Sequence, residues 1–424
     1  MSMPVLTVEI ALTNNPTDVA VWTDVTAYTW QVATRRGRQM ELDRIEAGTA
    51  SITLDNRDRR FDPTFAAGPY YGQLLPMRRV LISAVWNSIT YPLFYGYVEG
   101  WPQKYDSAME STVEISAVDG FKLLSRAILT VDLPVQRTDE RVDTLLALAG
   151  WTLGDSWVFG ATAANSKFPV VFGPNGDRAL ARGYASMAED SLVKIDALSA
   201  IMDATDVELG QTYCDRRGKF VFQDRYYRND DLTPLAVIGD GAGEFPYSSI
   251  EVLWDDSHII NTYTATTADN IEATASDMPS KLKYFTCAVT SSSLPLGVQV
   301  GEPSVQQQLQ SRADYMVRRY KEPQLRFGTI TFPFAQPDSN WPVTLNMGIG
   351  DRITVRRRPM GGTMISQDCH LEHIEHTITA GANDRDWQTT WQVSPVDPVS
   401  YWLMGVAGRS TFTNAPNTTV RFGW

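Results

Sequence analysis

The sequence predicts a mainly β, α+β protein: two related small antiparallel β-barrels, an inserted α+β domain and one long amphipathic helix. Three observations lead there. Val80–Gly120 reads as three or four antiparallel strands. Asp351–Asp397 returns to the same pattern near the other end of the chain. Between them the apolar period lengthens from that of a strand to that of a helix.

In the first run Val80, Ile82 and Ala84 alternate with Leu81, Ser83 and Val85, so both faces carry apolar groups. Val113 and Ile115 alternate with Glu114 and Ser116, the mark of a half-buried strand. Asp106-Ser107-Ala108 lacks strand formers and supplies a loop. In the second run DRITVRR, CHLEHIEHTIT and DWQTTWQVSPVD follow one another. Val98-Glu99-Gly100 aligns with Ile374-Glu375-His376. Val113, Ile115, Ser116, Val118 and Asp119 align with Trp391, Val393, Ser394, Val396 and Asp397. A hairpin loop absorbs the small difference in spacing between the two blocks.

Residues 1–126 form the first barrel. Val5–Ala11 alternates and ends at Asn14-Asn15-Pro16; Ala20–Val25 and Tyr28–Ala33 are further strands, and Gly48–Leu54 alternates cleanly. The charged loop Asp55–Pro63 follows. Residues 127–234 read as a small α+β domain. Thr138-Asp139-Glu140 opens a helix with Val142, Leu145, Leu146 and Ala149 on one stripe and Gly150 as its stop. Trp151–Tyr184 has little periodicity and is either functional or holds short strands. A second helix is expected from Asp190 or Ser191, with Leu192, Ile195, Leu198, Ser199 and Met202 inward. Gln211–Cys214 and Lys219–Gln223 flank a tight turn at Gly218.

Residues 235–397 form the second barrel, with an inserted helical and loop segment at 267–323. Leu235–Phe245 is a Gly-rich linker, and Ile250–Trp254 and Ile259–Thr266 are strands. Ser304 and Gln307 make a capping box. The helix behind it carries Leu309, Ala313, Met316, Val317 and Tyr320 on one stripe and stops at Glu322-Pro323. Residues 398–424 are a C-terminal tail, which with Trp151–Tyr184 is expected to act as an arm toward partners.

Composition narrows the function. A formal net charge of −12 disfavours tight nucleic-acid binding, which needs basic surface to displace counterions. Cys214, Cys287 and Cys369 lie far apart, which fits free thiols and a reducing compartment. The start of the chain shows no signal-peptide pattern, and no stretch is apolar for long enough to span a bilayer. His370, His373 and His376 are the obvious metal candidates. A strand spreads them across about 20 Å and onto two faces, so they are expected as surface histidines. Gly239–Gly243 lacks the GxGxxG pattern and is expected as a hinge. GxSxG and HExxH do not occur, and Glu99 and Glu375 suggest a shared structural role. No catalytic, cofactor-binding or metal residue is expected. The basic clusters Arg356-Arg357-Arg358 and Arg57/Arg59/Arg60 are expected to meet acids across a subunit interface or to be solvated.

GTASITLDNRDRRFDP (48–63) and FYGYVEGW…STVEISAVDGFKLLSR (94–126) resemble runs in minor tail proteins of long-tailed bacteriophages, and the order of elements resembles the tail-tip (baseplate) hub family. The resemblance is specific in sequence over 48–126 and covers most of the chain in architecture. It implies a structural virion protein at the tail tip and no enzyme. It implies a homotrimer whose two similar barrels per chain present six to a six-fold tube, joining it to three-fold tip components. The implied partners are the distal tail protein, the tape measure protein, and tail fibres or other minor tail proteins. DNA passes the acidic lumen without specific binding, and assembly takes place in the host cytoplasm. Arg57, Asp58, Arg59 and Arg60 are the candidate contacts to a neighbouring subunit. The competing readings are a hexameric distal tail ring, a tail-borne cell-wall hydrolase and a carbohydrate-binding module.

Overall fold

The computed structural model describes residues 3–16, 18–105, 110–151, 171–172, 177–229, 233–333, 336–380, 385–397, 401–402 and 421–422. The Asp106–Ala108 loop, most of Trp151–Tyr184 and most of the tail lie outside them.

Six strands build the first β region: β1 (Val5–Ala11), β2 (Thr29–Gly37), β3 (Glu46–Asp55), β4 (Arg79–Trp86), β5 (Ile89–Val98) and β6 (Ser111–Val118). Alternation sets which side chains enter the core. In β6, Val113, Ile115 and Ala117 are buried while Glu114 and Ser116 are exposed. β4 is buried on both faces. Val80, Ile82 and Ala84 join the main core, and Leu81 packs with Tyr95 and Tyr97 on the other side. Asn87 and Ser88, at φ 48° and 63°, make the two-residue turn between β4 and β5.

The middle region contains β7 (Ile128–Leu133), α1 (Thr138–Leu148), β8 (Asp190–Asp196), α2 (Ala197–Glu208), β9 (Gln211–Cys214) and β10 (Phe220–Gln223). In α1 the Glu140 carboxylate accepts from the Arg137 backbone N–H at 3.1 Å, and Val142, Leu145 and Leu146 are fully buried. The second helix begins later than its apolar spacing suggests. Asp190–Asp196 is a strand paired antiparallel with β7, leaving Ile195 exposed. The helix opens at Ala197, where Asp196 caps the Ser199 N–H at 2.9 Å. Spacing at Leu192, Ile195 and Leu198 fits a helix, but an available strand partner overrides that local preference.

The second β region contains β11 (Val237–Ile238) and β12 (Ser249–Leu253). After an insertion come β16 (Arg326–Thr331), α4 (Trp341–Asn346), β17 (Arg352–Arg357), β18 (Ile365–Ala380) and β19 (Arg385–Pro395). The insertion holds β13 (Thr262–Thr267), β14 (Glu272–Ser276), β15 (Ala288–Leu294) and α3 (Val305–Tyr320). Here too the structure departs from the sequence reading. Thr262–Thr267 is no strand of the second β region but the centre of a separate three-stranded sheet with β14 and β15. The stripe Leu309, Ala313, Met316, Val317 and Tyr320 is buried, and it shares one core with Val142, Leu145, Phe220 and Phe222 of the middle region.

Strand order is where the two β regions agree. The first series pairs as β1-β4-β5-β6-β3-β2, and the second as β11-β17-β18-β19-β16-β12. Taken along the chain, each strand of one series occupies the place of its counterpart in the other. The one difference is that β11 runs parallel to β17, whereas β1 runs antiparallel to β4. A β2–β18 pairing joins both series, together with the short strands Thr23–Asp24 and Gln103–Tyr105, into a 14-stranded sheet. No pairing among the described residues closes either series into a barrel.

Pairing also corrects the register of the repeat. Val98 sits opposite Ala117. Carrying Val113 onto Trp391 carries Ala117 onto Pro395, and Pro395 sits opposite Cys369. The counterpart of Val98 is therefore Cys369, not Ile374. A bulge at Glu372 and the long β18–β19 hairpin add residues that simple alignment does not see.

Candidate assembly site

The joint between the two β regions is made along one edge of β18. Residues 365–370 of that edge pair with β17; residues 373–379 pair with β2. The change of partner occurs at Glu372, which is 1% exposed. Its carboxylate accepts from Arg38 Nε at 2.7 Å, from Arg228 and from the Ser394 hydroxyl. Its carbonyl accepts from the Arg38 backbone N–H at 2.9 Å. Gly37, at φ +105°, lies so close that an added Cβ would stand 2.0 Å from that carbonyl oxygen. Only glycine permits this approach.

A second layer of charge surrounds the first. Arg319, from the end of α3, pairs with Glu41 and donates to the Pro395 carbonyl at 2.9 Å. Asp397 lies 3.4 Å from Arg318 and 3.9 Å from Arg319. Arg228 also comes within 3.9 Å of Glu41. Buried ions survive only when paired and hydrogen-bonded, and here cations and anions interleave from four parts of the chain. Burial pushes the Glu372 carboxyl up, but Arg228 and Arg38, with the Arg38 and Ser394 hydrogen bonds, hold it well below the usual carboxylate range. Apart from Ser394 and Asp397, none of these residues stands out in the sequence, because the partners come from distant segments.

Asp119 and Asp397 end equivalent strands, as aligned, yet do different work. Asp119 accepts from the Gly48 and Phe121 backbone N–H groups at 2.6 and 3.0 Å. Burial pushes it up to about 7 against those donors and Arg36. Glu99 pairs with Lys122 at 3.0 Å, whereas Glu375 lies 3.7 Å from His373.

The three histidines are buried, not on the surface: His370, His373 and His376 are 2–3% exposed. His370 lies between β17 and β19, and His373 and His376 lie between β2 and β19. His376 Nδ1 meets the Thr389 hydroxyl at 3.0 Å and accepts from Trp387 Nε1 at 3.4 Å. Burial first, then Arg36 and Arg216, pulls it down to about 3, so the ring is neutral. Among the described residues no cluster of histidines, cysteines and carboxylates is arranged to hold a metal ion.

Arg57, Asp58 and Arg59 are exposed and Arg60 is half-buried, in the loop between β3 and β4. The structure brings each guanidinium to an acid of the same loop. Arg57 Nε reaches Asp55 at 2.9 Å, Arg59 reaches Asp62 at 2.7 Å, and Arg60 reaches Asp58 at 2.7 Å. Arg60 also lies 3.7 Å from the Tyr28 ring centroid. Beneath them Asn56 and Phe61 are fully buried. Phe61 donates its N–H to the Asn56 side chain at 2.8 Å and stacks on Tyr70 and Trp101. The loop is an ordered turn with its charge balanced locally.

The other basic cluster meets the Gly-rich run. Arg357 and Arg358 reach Asp240 at 2.7 and 2.9 Å, and Arg356 and Arg358 reach Glu244 at 3.1 and 2.6 Å. A Cβ on Gly239 would stand 2.1 Å from the Glu244 carboxylate. Gly239–Gly243 is therefore strapped to the end of β17, not a free hinge. A groove of about 290 Å³ lies between β12, the end of α3 and Glu41. Among the described residues no helix is long and apolar enough to cross a membrane.

Neither a family model nor a curated protein sequence matches the chain. Solved structures do. A tail protein from Neisseria meningitidis MC58 superposes with a TM-score of 0.55 at 10% identity, covering 92% of this chain and 96% of that one. The 43 kDa tail protein of prophage MuSo2 from Shewanella oneidensis superposes at 0.54 with 11% identity, covering 93% and 97%. Identity this low speaks for fold, and both matches run nearly end to end. The fold of this chain is that of phage tail proteins.

Proposed function

We propose that the chain is a structural component of the phage tail tip: a hub, trimeric and not catalytic, that joins a six-fold tail tube to three-fold tip components around the DNA exit channel. The observation that carries this reading is the recurrence of one strand order in both β regions. Three copies of a chain with two such regions offer six like surfaces in a closed ring. In this reading residues 1–126 and 235–397 supply the two ring modules, 127–234 the body beside them and 398–424 a peripheral tail. The modules act as barrels completed in the assembled ring. Arg57, Asp58, Arg59 and Arg60 form a loop that meets a neighbouring subunit. The partners are further copies of the chain, the distal tail protein, the tape measure protein and fibre or other minor tail proteins. DNA passes without specific contact, and the protein assembles in the host cytoplasm before it resides in the virion tail.

Mass measurement of the full chain by light scattering or mass photometry tests this. A trimer is expected; a stable hexamer would assign the chain instead to the distal tail ring. A zymogram on purified peptidoglycan is expected to stay blank, and clearing would replace the structural reading with a hydrolase.

A further inference from the structure

We infer that the outer edge of β12 is the surface through which copies of this chain join head to tail, and that its occupant is the strand Gln103–Tyr105 of the next copy. The inference deepens the trimeric reading and rests on it. The counterpart of β12 in the first series is β2, and the edge of β2 is taken within the molecule by residues 373–379 of β18. β12 pairs with β16 on one side and has no other strand partner among the described residues. The same structural position is therefore covered once and open once.

The same comparison names the occupant. The stretch of β18 that covers β2 continues past the pairing with β17 and lies against β19, with Thr377 opposite Gln388 and Ile378 opposite Trp387. In the first series the chain likewise continues past the pairing of β5 with β4. Gln103–Tyr105 then lies against β6, with Gln103 opposite Val113 and Tyr105 opposite Ser111. Repeating the internal joint once more, between molecules, sets Gln103–Tyr105 on β12. Such a contact is heterologous: each copy donates one surface and receives another, so the chain of contacts ends only by closing into a ring.

The exposed side chains fit a covered edge. Val252 is 40% exposed, and Trp254, just beyond the strand, is 66% exposed. Tyr105 on the opposing strand is 59% exposed. An apolar edge strand left open is a template for pairing with another chain.

Two variants of the full chain test the contact. The first carries Val252→Glu with Trp254→Glu. It is expected to lower the trimer fraction roughly tenfold or more at fixed concentration, since each carboxylate would be desolvated without a partner. Its circular dichroism spectrum is expected to stay that of the parent, which shows that the chain itself remains folded. The second carries Leu253→Cys with Tyr105→Cys, the pair that the internal register His376–Thr34 sets opposite each other. On oxidation it is expected to give linked species of two and three chains, while either single cysteine gives none. A trimer that tolerates both glutamates and fails to cross-link would overturn this contact and leave the hub reading standing. A parent chain that never trimerises would overturn both. A ladder of linked chains running past three would keep the contact and overturn the closed trimer. If the glutamate variant fails to fold, the cysteine pair decides alone.

Discussion

β2 and β12 hold the same place in two series of strands, and their surroundings differ. β2 is covered by β18; its Val32, Thr34 and Arg36 are buried. β12 has no buried residue at all. The connections that follow them differ as well. After β2 the chain turns within residues 38–45 and supplies Arg38 and Glu41 to the buried charge cluster. After β12 it departs through residues 254–325, building a sheet and a helix whose end returns to that cluster as Arg318 and Arg319. One topology thus serves two ends. In the first series the edge holds the molecule together; in the second it has no further strand partner among the described residues.

The comparison breaks most easily at the covered edge. Replacing Glu372 by Ala leaves Arg38 and Arg228 buried without their anion, and is expected to cost about 3–5 kcal/mol in urea unfolding. Trp341 comes from the second region but is fully buried in the core of the first, against Trp86 and Trp387. Trp341→Ala is expected to cost about 3–5 kcal/mol by the same measurement, because the cavity lies between the regions. Gly37→Ala forces a side chain into left-handed backbone against the Glu372 carbonyl, with an expected loss above about 1 kcal/mol. A melting temperature unchanged by any of these would show that the joint does not support the fold.

Acid sharpens the same contrast. His376 and Glu372 both have folded values below their unfolded ones. Their contribution is present above the unfolded values of 6.5 and 4.5, and is lost as pH falls toward the folded ones, which for His376 is about 3. Asp119 runs the other way. Raised from 3.8 to about 7, it favours the fold most at low pH and loses that contribution as pH rises through 7. Midpoints of urea unfolding across this range should fall on acidification, and His376→Gln should flatten the slope between 6.5 and about 3. The smallest effect belongs to the open edge: Val252→Thr on β12 is expected to shift stability by less than about 0.5 kcal/mol.

Where the sequence spoke locally, it was informative. The capping box at Ser304 and Gln307 forms, with the Ser304 N–H donating to Gln307 at 2.9 Å, and the stripe from Leu309 to Tyr320 faces inward. Alternation in β6 names its buried face. Asp119 and Asp397 each follow a strand that holds the same place in its series. Failures came where a partner strand decided the outcome. Asp190–Asp196 took β7 instead of helix, Thr262–Thr267 left the second β region, and the histidines of β18 are buried in the folded chain.

Sequence by itself determined the mainly β character, most strands of both β regions and the two amphipathic faces of α1 and α3, because period and capping are properties of neighbouring residues; it read the stretch that holds β11 as a linker. Tertiary structure alone decided that β18 changes partner at Glu372, that arginines from three segments converge there, and that one of two equivalent edges has no second strand partner among the described residues. A strand's hydrogen-bonding edges are alike in every sequence, so the choice between partners is made by what else the folded chain brings alongside.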